Sequence, residues 1–196
     1  MRNLKSICVF CGSNPGANGA YLHAATSLGR TLGEKNIKLI FGGGKIGMMG
    51  AVADAVLESG GEVTGVIPDF LADRELAHPG VKEMLIVETM HARKRSMADL
   101  ADGFIALPGG YGTMDELFEI ITWSQLGLHS KPVGLLNVGG YYDELILFFD
   151  KMVKGGFVSV ANRELLIADG EIGSLLTKME SYEAPDRRSW LDRTKV

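Results

Sequence analysis

Leu107-Pro108-Gly109-Gly110-Tyr111-Gly112-Thr113-Met114-Asp115-Glu116 decides how this chain folds. It follows the apolar run Gly103-Phe104-Ile105-Ala106-Leu107 and opens into a helical pattern. An apolar strand, a glycine-rich turn and a helix start form an anion site. Unpaired N–H groups and the helix dipole both favour a phosphate there. Gly109, Gly110 and Gly112 leave the backbone bare, so a ligand can approach the main chain. Thr113 and Glu116 stand at capping-box spacing, which predicts a helix start at Thr113.

Outward from this stretch, the same unit repeats along the chain. Residues 5–11, 38–41, 62–67, 83–87, 103–107, 132–136 and 165–168 read as strands. Residues 19–35, 48–59, 90–101, 113–126, 142–154 and 171–179 read as helices, with a short one at 70–73. Alternation with short links predicts an α/β fold: a single-domain, Rossmann-like, doubly wound parallel sheet with helices on both faces. The strands are continuous apolar runs, as burial on both faces requires. Ligands in such folds sit outside the carboxyl ends of the strands. Here that edge gathers Gly12-Ser13-Asn14, Gly42-Gly43-Gly44, Met90 to Arg93 and Pro108-Gly109-Gly110. Residues 1–182 form the domain. Residues 183–196 are a polar, basic tail expected to be loosely held.

Composition narrows the function. A net charge of −4 supplies no electrostatic reason for a nucleic-acid partner. No apolar run reaches membrane-spanning length and no apolar leader follows Met1, so a cytoplasmic protein is expected. Cys8 and Cys11 have C-x-x-C spacing, but residues three apart on a strand face opposite ways. The four histidines lack ligand spacing. Buried thiols are therefore expected, with neither metal nor disulfide.

Gly42-x-Gly44-x-x-Gly47 matches the dinucleotide fingerprint, but after the second strand and without a good ribose-binding acid. Close helix–sheet packing and single-phosphate binding remain open beside it. Lys45 is not followed by Ser or Thr, which excludes a P-loop.

Met90, Arg93, Lys94, Met97 and Ala101 fall on one helical stripe, while Arg95 points away. The stripe is apolar apart from its two cations. A half-buried arginine needs an anion opposite, carboxylate or phosphate. Glu116 shares a stripe with Ile120 and Trp123, so it leans inward and becomes the natural partner of Arg93. Helix capping and a reactive role both fit Glu116 at this stage. The Met48, Met49, Met90 and Met97 side chains flank the expected pocket as core filler or as an apolar wall for a base.

Four segments together resemble a known family. Pro108 to Glu116 is a PGGxGTxxE motif and Met90-His91-Ala92-Arg93-Lys94 is an MHxRK motif. Cys11 to Asn14 and Gly42 to Gly50 match as well, so the resemblance runs over residues 6–168. The chain resembles the LOG (Lonely Guy) family, cytokinin riboside 5'-monophosphate phosphoribohydrolases, formerly labelled lysine decarboxylases. The resemblance implies hydrolysis of the N-glycosidic bond of purine nucleoside 5'-monophosphates such as AMP and N6-isopentenyl-AMP. The products are free base and ribose 5-phosphate. It implies Arg93 and Glu116 as the catalytic pair. It implies substrate contacts at Ser13, Gly43, Glu75, Met90, Lys94, Gly109, Gly110, Gly112 and Thr113. It further implies no cofactor, a homodimer, and a nucleotide as the small-molecule partner, with no nucleic acid or membrane. The decarboxylase label finds no pyridoxal-phosphate lysine with a partnering acid. Two alternatives stand beside the enzyme: a non-enzymatic nucleotide carrier, similar to molybdenum cofactor carrier proteins, and an NAD-binding oxidoreductase resting on Gly42, Gly44 and Gly47.

Overall fold

The computed structural model describes residues 1–72 and 76–185. Seven strands form one sheet: β1 (Ser6–Phe10), β2 (Lys38–Phe41), β3 (Val63–Pro68), β4 (Glu83–Val87), β5 (Gly103–Ala106), β6 (Val133–Leu136) and β7 (Leu166–Asp169). Their order is β4-β3-β2-β1-β5-β6-β7, and every neighbouring pair is parallel. The chain winds from β1 to one edge, then returns to lay β5 on the other side of β1. The direction therefore reverses between β1 and β5. Connections diverge there and leave a crevice at the carboxyl ends of the two strands.

Alternating side chains of β1 sort into two cores. Ile7 and Val9 pack beneath α1 (Gly19–Glu34), α2 (Gly47–Glu58) and α8 (Ile172–Glu180). Cys8 and Phe10 pack with α4 (Met90–Leu100), α5 (Tyr111–Gln125) and α6 (Asp143–Lys154). This is the doubly wound sheet that the sequence predicts. Cys11 joins the first core and Cys8 the second, and both are buried free thiols. Burial pushes both thiols well above the ordinary cysteine range, so neither is a ready thiolate.

Three local expectations change. The helix of the central motif starts at Tyr111, not Thr113. Its cap residue is Gly110, in extended conformation with no side-chain cap. The capping box does not form, because Thr113 is already in the first turn and is buried against Gly109. Edge strand β4 is more exposed than an apolar run suggests: Leu85 and Ile86 reach solvent. A one-turn helix, α7 (Val160–Arg163), had no counterpart in the sequence reading; Ser159 caps it through the Asn162 amide. The short helix expected over 70–73 appears as α3 (Asp69–Ala72). Of the basic tail, residues 186–196 lie outside the described residues. Among the described residues no helix is long and apolar enough to cross a membrane.

Helices α1 and α2 approach closely because Gly29 faces α2. A Cβ at that position would overlap the Val52 carbonyl and stand 2.8 Å from the Ala55 Cβ. Gly29→Ala should therefore lower unfolding free energy by about 1–3 kcal/mol. Gly19→Ala, in open space at the start of the same helix, should leave it within about 0.5 kcal/mol. Urea denaturation of the two variants checks this, and equal stabilities would contradict the packing argument.

Candidate active site

Three glycine-bearing loops meet at the crevice. The Gly12 amide, just after β1, donates to the Pro108 carbonyl after β5 at 3.1 Å. The Met48 amide in the first turn of α2 donates to the Gly12 carbonyl at 3.2 Å. Gly47 has φ +60°, and a Cβ there would overlap the Ser13 backbone. The backbones stack so tightly that side chains are excluded. Close packing thus accounts for the glycines of the Gly42-x-Gly44-x-x-Gly47 pattern, since a Cβ on Gly42 would occupy the place of the Arg93 guanidinium.

Around these loops lies a cavity of about 610 Å³, a size that suits a nucleotide. Ser13, Met90, Arg93, Gly109, Gly110, Gly112, Thr113 and Glu116 line it. Its apolar wall is made by Ile46, Met48, Met49, Ile67, Leu71 and Leu76. Helix α5 begins at its floor with no capping side chain over its first amides, which leaves those donors for an anion.

Arg93 stands on α4, which Thr89 caps by accepting from the Ala92 amide at 3.0 Å. Its side chain is buried under the carboxyl ends of β2 and β3. Nε donates to the Val66 carbonyl and Nη2 to the Gly42 carbonyl, each at 3.1 Å. Nη1 then faces Glu116 Oε1 at 3.6 Å, with both side chains about nine-tenths buried. At that distance the pair is a charge contact and not a hydrogen bond. Glu116 therefore keeps hydrogen-bonding capacity for a ligand. Its carboxyl is pushed up to about 7, chiefly by burial, with Arg93 limiting the rise and Asp115 adding to it. The carboxyl is poised to gain or lose a proton near neutral pH.

Lys94 points elsewhere. Its Nζ lies 3.1 Å from Asp115 and 3.1 Å from Glu119, so it clamps α4 to α5 outside the cavity wall. Burial lowers the ammonium, but hydrogen bonds to Glu119 and Asp115 outweigh it and leave the group above its ordinary value. Gly43 is also off the wall. At φ +76° it turns its carbonyl to the His78 amide, 2.8 Å away. Glu75 lies outside the described residues.

Two aromatic wall residues escaped the sequence reading: Tyr21, from the first turn of α1, and Tyr141, after β6. Their rings meet edge to face at 5.4 Å. The available signal was position, because Tyr141 follows Gly139-Gly140 at the carboxyl end of the next strand. Among the described residues, no three His, Cys, Asp or Glu side chains are placed to share a metal ion.

A family model described as "Possible lysine decarboxylase" matches residues 49–179. Cytokinin riboside 5'-monophosphate phosphoribohydrolase LOG2 of Arabidopsis thaliana is 51% identical over 178 residues, covering 91% of this chain and 84% of that protein. Probable cytokinin riboside 5'-monophosphate phosphoribohydrolase LOGL5 of Oryza sativa is 51% identical over 181 residues, covering 92% and 74%. Among solved structures, the Moco carrier protein of Chlamydomonas reinhardtii superposes with a TM-score of 0.69, covering 91% of this chain and 97% of that one. At 20% identity that likeness concerns the fold alone.

Because Arg93 holds the Glu116 carboxyl down, Arg93→Ala should raise its pKa above about 7. Gly42→Ala, which displaces the guanidinium without removing it, should move the value the same way by less. Carboxyl-carbon NMR titration reads both shifts. An unchanged Glu116 titration in Arg93→Ala would show that the two groups are uncoupled.

Proposed function

The chain belongs to the family of cytokinin riboside 5'-monophosphate phosphoribohydrolases, and we propose that its Arg93–Glu116 pair hydrolyses the N-glycosidic bond of purine nucleoside 5'-monophosphates. The observation that carries this reading is the buried, unbonded charge contact between Arg93 and Glu116, set beside the uncapped start of α5. One feature suits a phosphate and the other a glycosidic carbon.

The 5'-phosphate occupies the amides of residues 110–113 at the α5 N-terminus, and the base lies along the wall formed by Met48, Met49, Ile67 and Met90. Rupture of the C1'–N9 bond builds positive charge on the ribose, as in other glycoside cleavages. An ionised Glu116 stabilises that charge and accepts a proton from the attacking water. The water's oxygen bonds to C1', the bond pair leaves with N9, and the departing base takes up the proton that Glu116 accepted, which returns the carboxylate to its ionised form. Free base and ribose 5-phosphate result. Arg93, anchored on two carbonyls, holds the carboxylate in place and favours its charged form. Lys94 contributes from outside the cavity by fixing α5 through Asp115 and Glu119. The reading includes both AMP and N6-prenylated AMP as substrates and a cytoplasmic homodimer, which the family resemblance supports.

The wild-type chain should release adenine from AMP and the prenylated base from N6-isopentenyl-AMP, measured by chromatography. Glu116→Gln should lower kcat by about a hundredfold or more. Absence of base release from both nucleotides would sink the reading.

The reaction uses the ionised carboxylate, whose pKa lies near 7. Below that value the protonated fraction grows, so kcat/KM should fall about tenfold per pH unit under pH 6. Above it the limb should flatten. Arg93→Ala should move the whole limb to higher pH while lowering its plateau. A rate independent of pH between 5 and 8 would remove Glu116 from the proton transfer.

A further inference from the structure

Every carbonyl that leads into α5 is already taken. The Tyr142 hydroxyl donates to the Leu107 carbonyl at 2.6 Å. The Gly12 amide donates to the Pro108 carbonyl. The Tyr141 hydroxyl donates to the Gly109 carbonyl at 2.6 Å. The third contact differs from the first two in one respect. Tyr142 is a core residue, 2% exposed, whereas Tyr141 is 40% exposed and lines the cavity.

The Gly109 carbonyl and the Gly110 amide belong to one planar trans peptide, so they point in opposite directions. Glycine on both sides leaves that peptide free to rotate, and a Cβ at Gly110 would meet nothing within 4 Å. Turned over, the unit would present a carbonyl oxygen to the anion in place of an N–H donor. A hydroxyl bound to the Gly109 carbonyl opposes that rotation and so fixes the direction of the Gly110 amide. Edge-to-face contacts of the Tyr141 ring with Tyr21, at 5.4 Å, and with Tyr142, at 4.8 Å, fix where that hydroxyl lies.

We propose that Tyr141 is a positioning residue for the phosphate group: its hydroxyl locks the Gly109–Gly110 peptide so that the Gly110 amide donates to the 5'-phosphate. This rests on the nucleotide reading for the identity of the anion. It predicts a loss confined to the phosphate-bearing half of the substrate. Tyr141→Phe keeps the ring and its aromatic contacts and removes only the hydroxyl.

Calorimetric titration of ribose 5-phosphate and of adenine, together with AMP kinetics, tests the proposal. In Tyr141→Phe the ribose 5-phosphate Kd should rise about tenfold, the effect of one hydrogen bond to a charged group. Adenine binding should be unchanged, and the KM for AMP should rise with kcat within about twofold. Tyr142→Phe serves as the comparison. It deletes a buried hydrogen bond one residue away, so it should lower Tm without separating the two ligands. Unchanged ribose 5-phosphate affinity in Tyr141→Phe, or equal weakening of both ligands, would overturn the proposal, as would a wild-type chain that binds no ribose 5-phosphate. Selective loss of ribose 5-phosphate binding in a chain that never cleaves AMP would uphold Tyr141 and overturn the glycosidase reading alone.

Discussion

A guanidinium buried under two strand ends is the constraint on which the site depends. Arg93 is costly to hide, and the cost is met by the Val66 and Gly42 carbonyls and by the charge of Glu116. Each partner imposes a condition elsewhere. The Gly42 carbonyl is reachable because position 42 has no side chain; a Cβ would stand where the guanidinium lies. The Val66 carbonyl sits on β3, which must lie beside β2 for one side chain to span both. Glu116 has to project from α5 toward α4 across the sheet's carboxyl edge. The order of the strands and the bareness of the glycine loop thus follow one side chain's need for partners.

The same edge separates two electrostatic tasks. At the start of α5, the carbonyls of Leu107, Pro108 and Gly109 are engaged by two tyrosine hydroxyls and the Gly12 amide, while no side chain caps the first amides of the helix. At the next turn of the same helix stands a carboxylate. Any anion drawn to those amides would be repelled by a carboxylate on the same surface. Glu116 is kept one helical turn away from those amides and faces Arg93, while burial raises its pKa and the cation limits the rise.

Much of this was legible in the sequence, for physical reasons. Buried strands in a parallel sheet must be apolar runs, so residues 38–41 and 103–107 declare themselves. The α4 stripe of Met90, Arg93, Lys94, Met97 and Ala101 placed a cation inside because helical period fixes the face. Strand alternation separated Cys8, in β1, from Cys11, just past its end. Other features depend on contacts that spacing does not encode. Thr113 and Glu116 have capping-box spacing, yet Gly110 caps the helix and Thr113 packs under Gly109. Lys94 shares the stripe of Arg93, but its ammonium ends on Asp115 and Glu119 of α5. Tyr141 carries no motif; only the fold brings the turn after β6 beside the turn after β5.

The shift of the helix start by two residues alters more than a boundary. With Thr113 as cap, Glu116 would have reached back to that residue's amide, and its carboxylate would have been used for structure. With Gly110 as cap, no side chain is needed to begin the helix, and Glu116 lies in the second turn, free of any capping bond. A glycine cap is weaker than a side-chain cap only by a few tenths of a kcal/mol. For that small difference the chain keeps a carboxylate unbonded in a buried place, where its charge is poorly solvated and strongly felt by a neighbouring cation. Residue spacing leaves open whether Glu116 serves as a cap, and Gly110 decides that it does not.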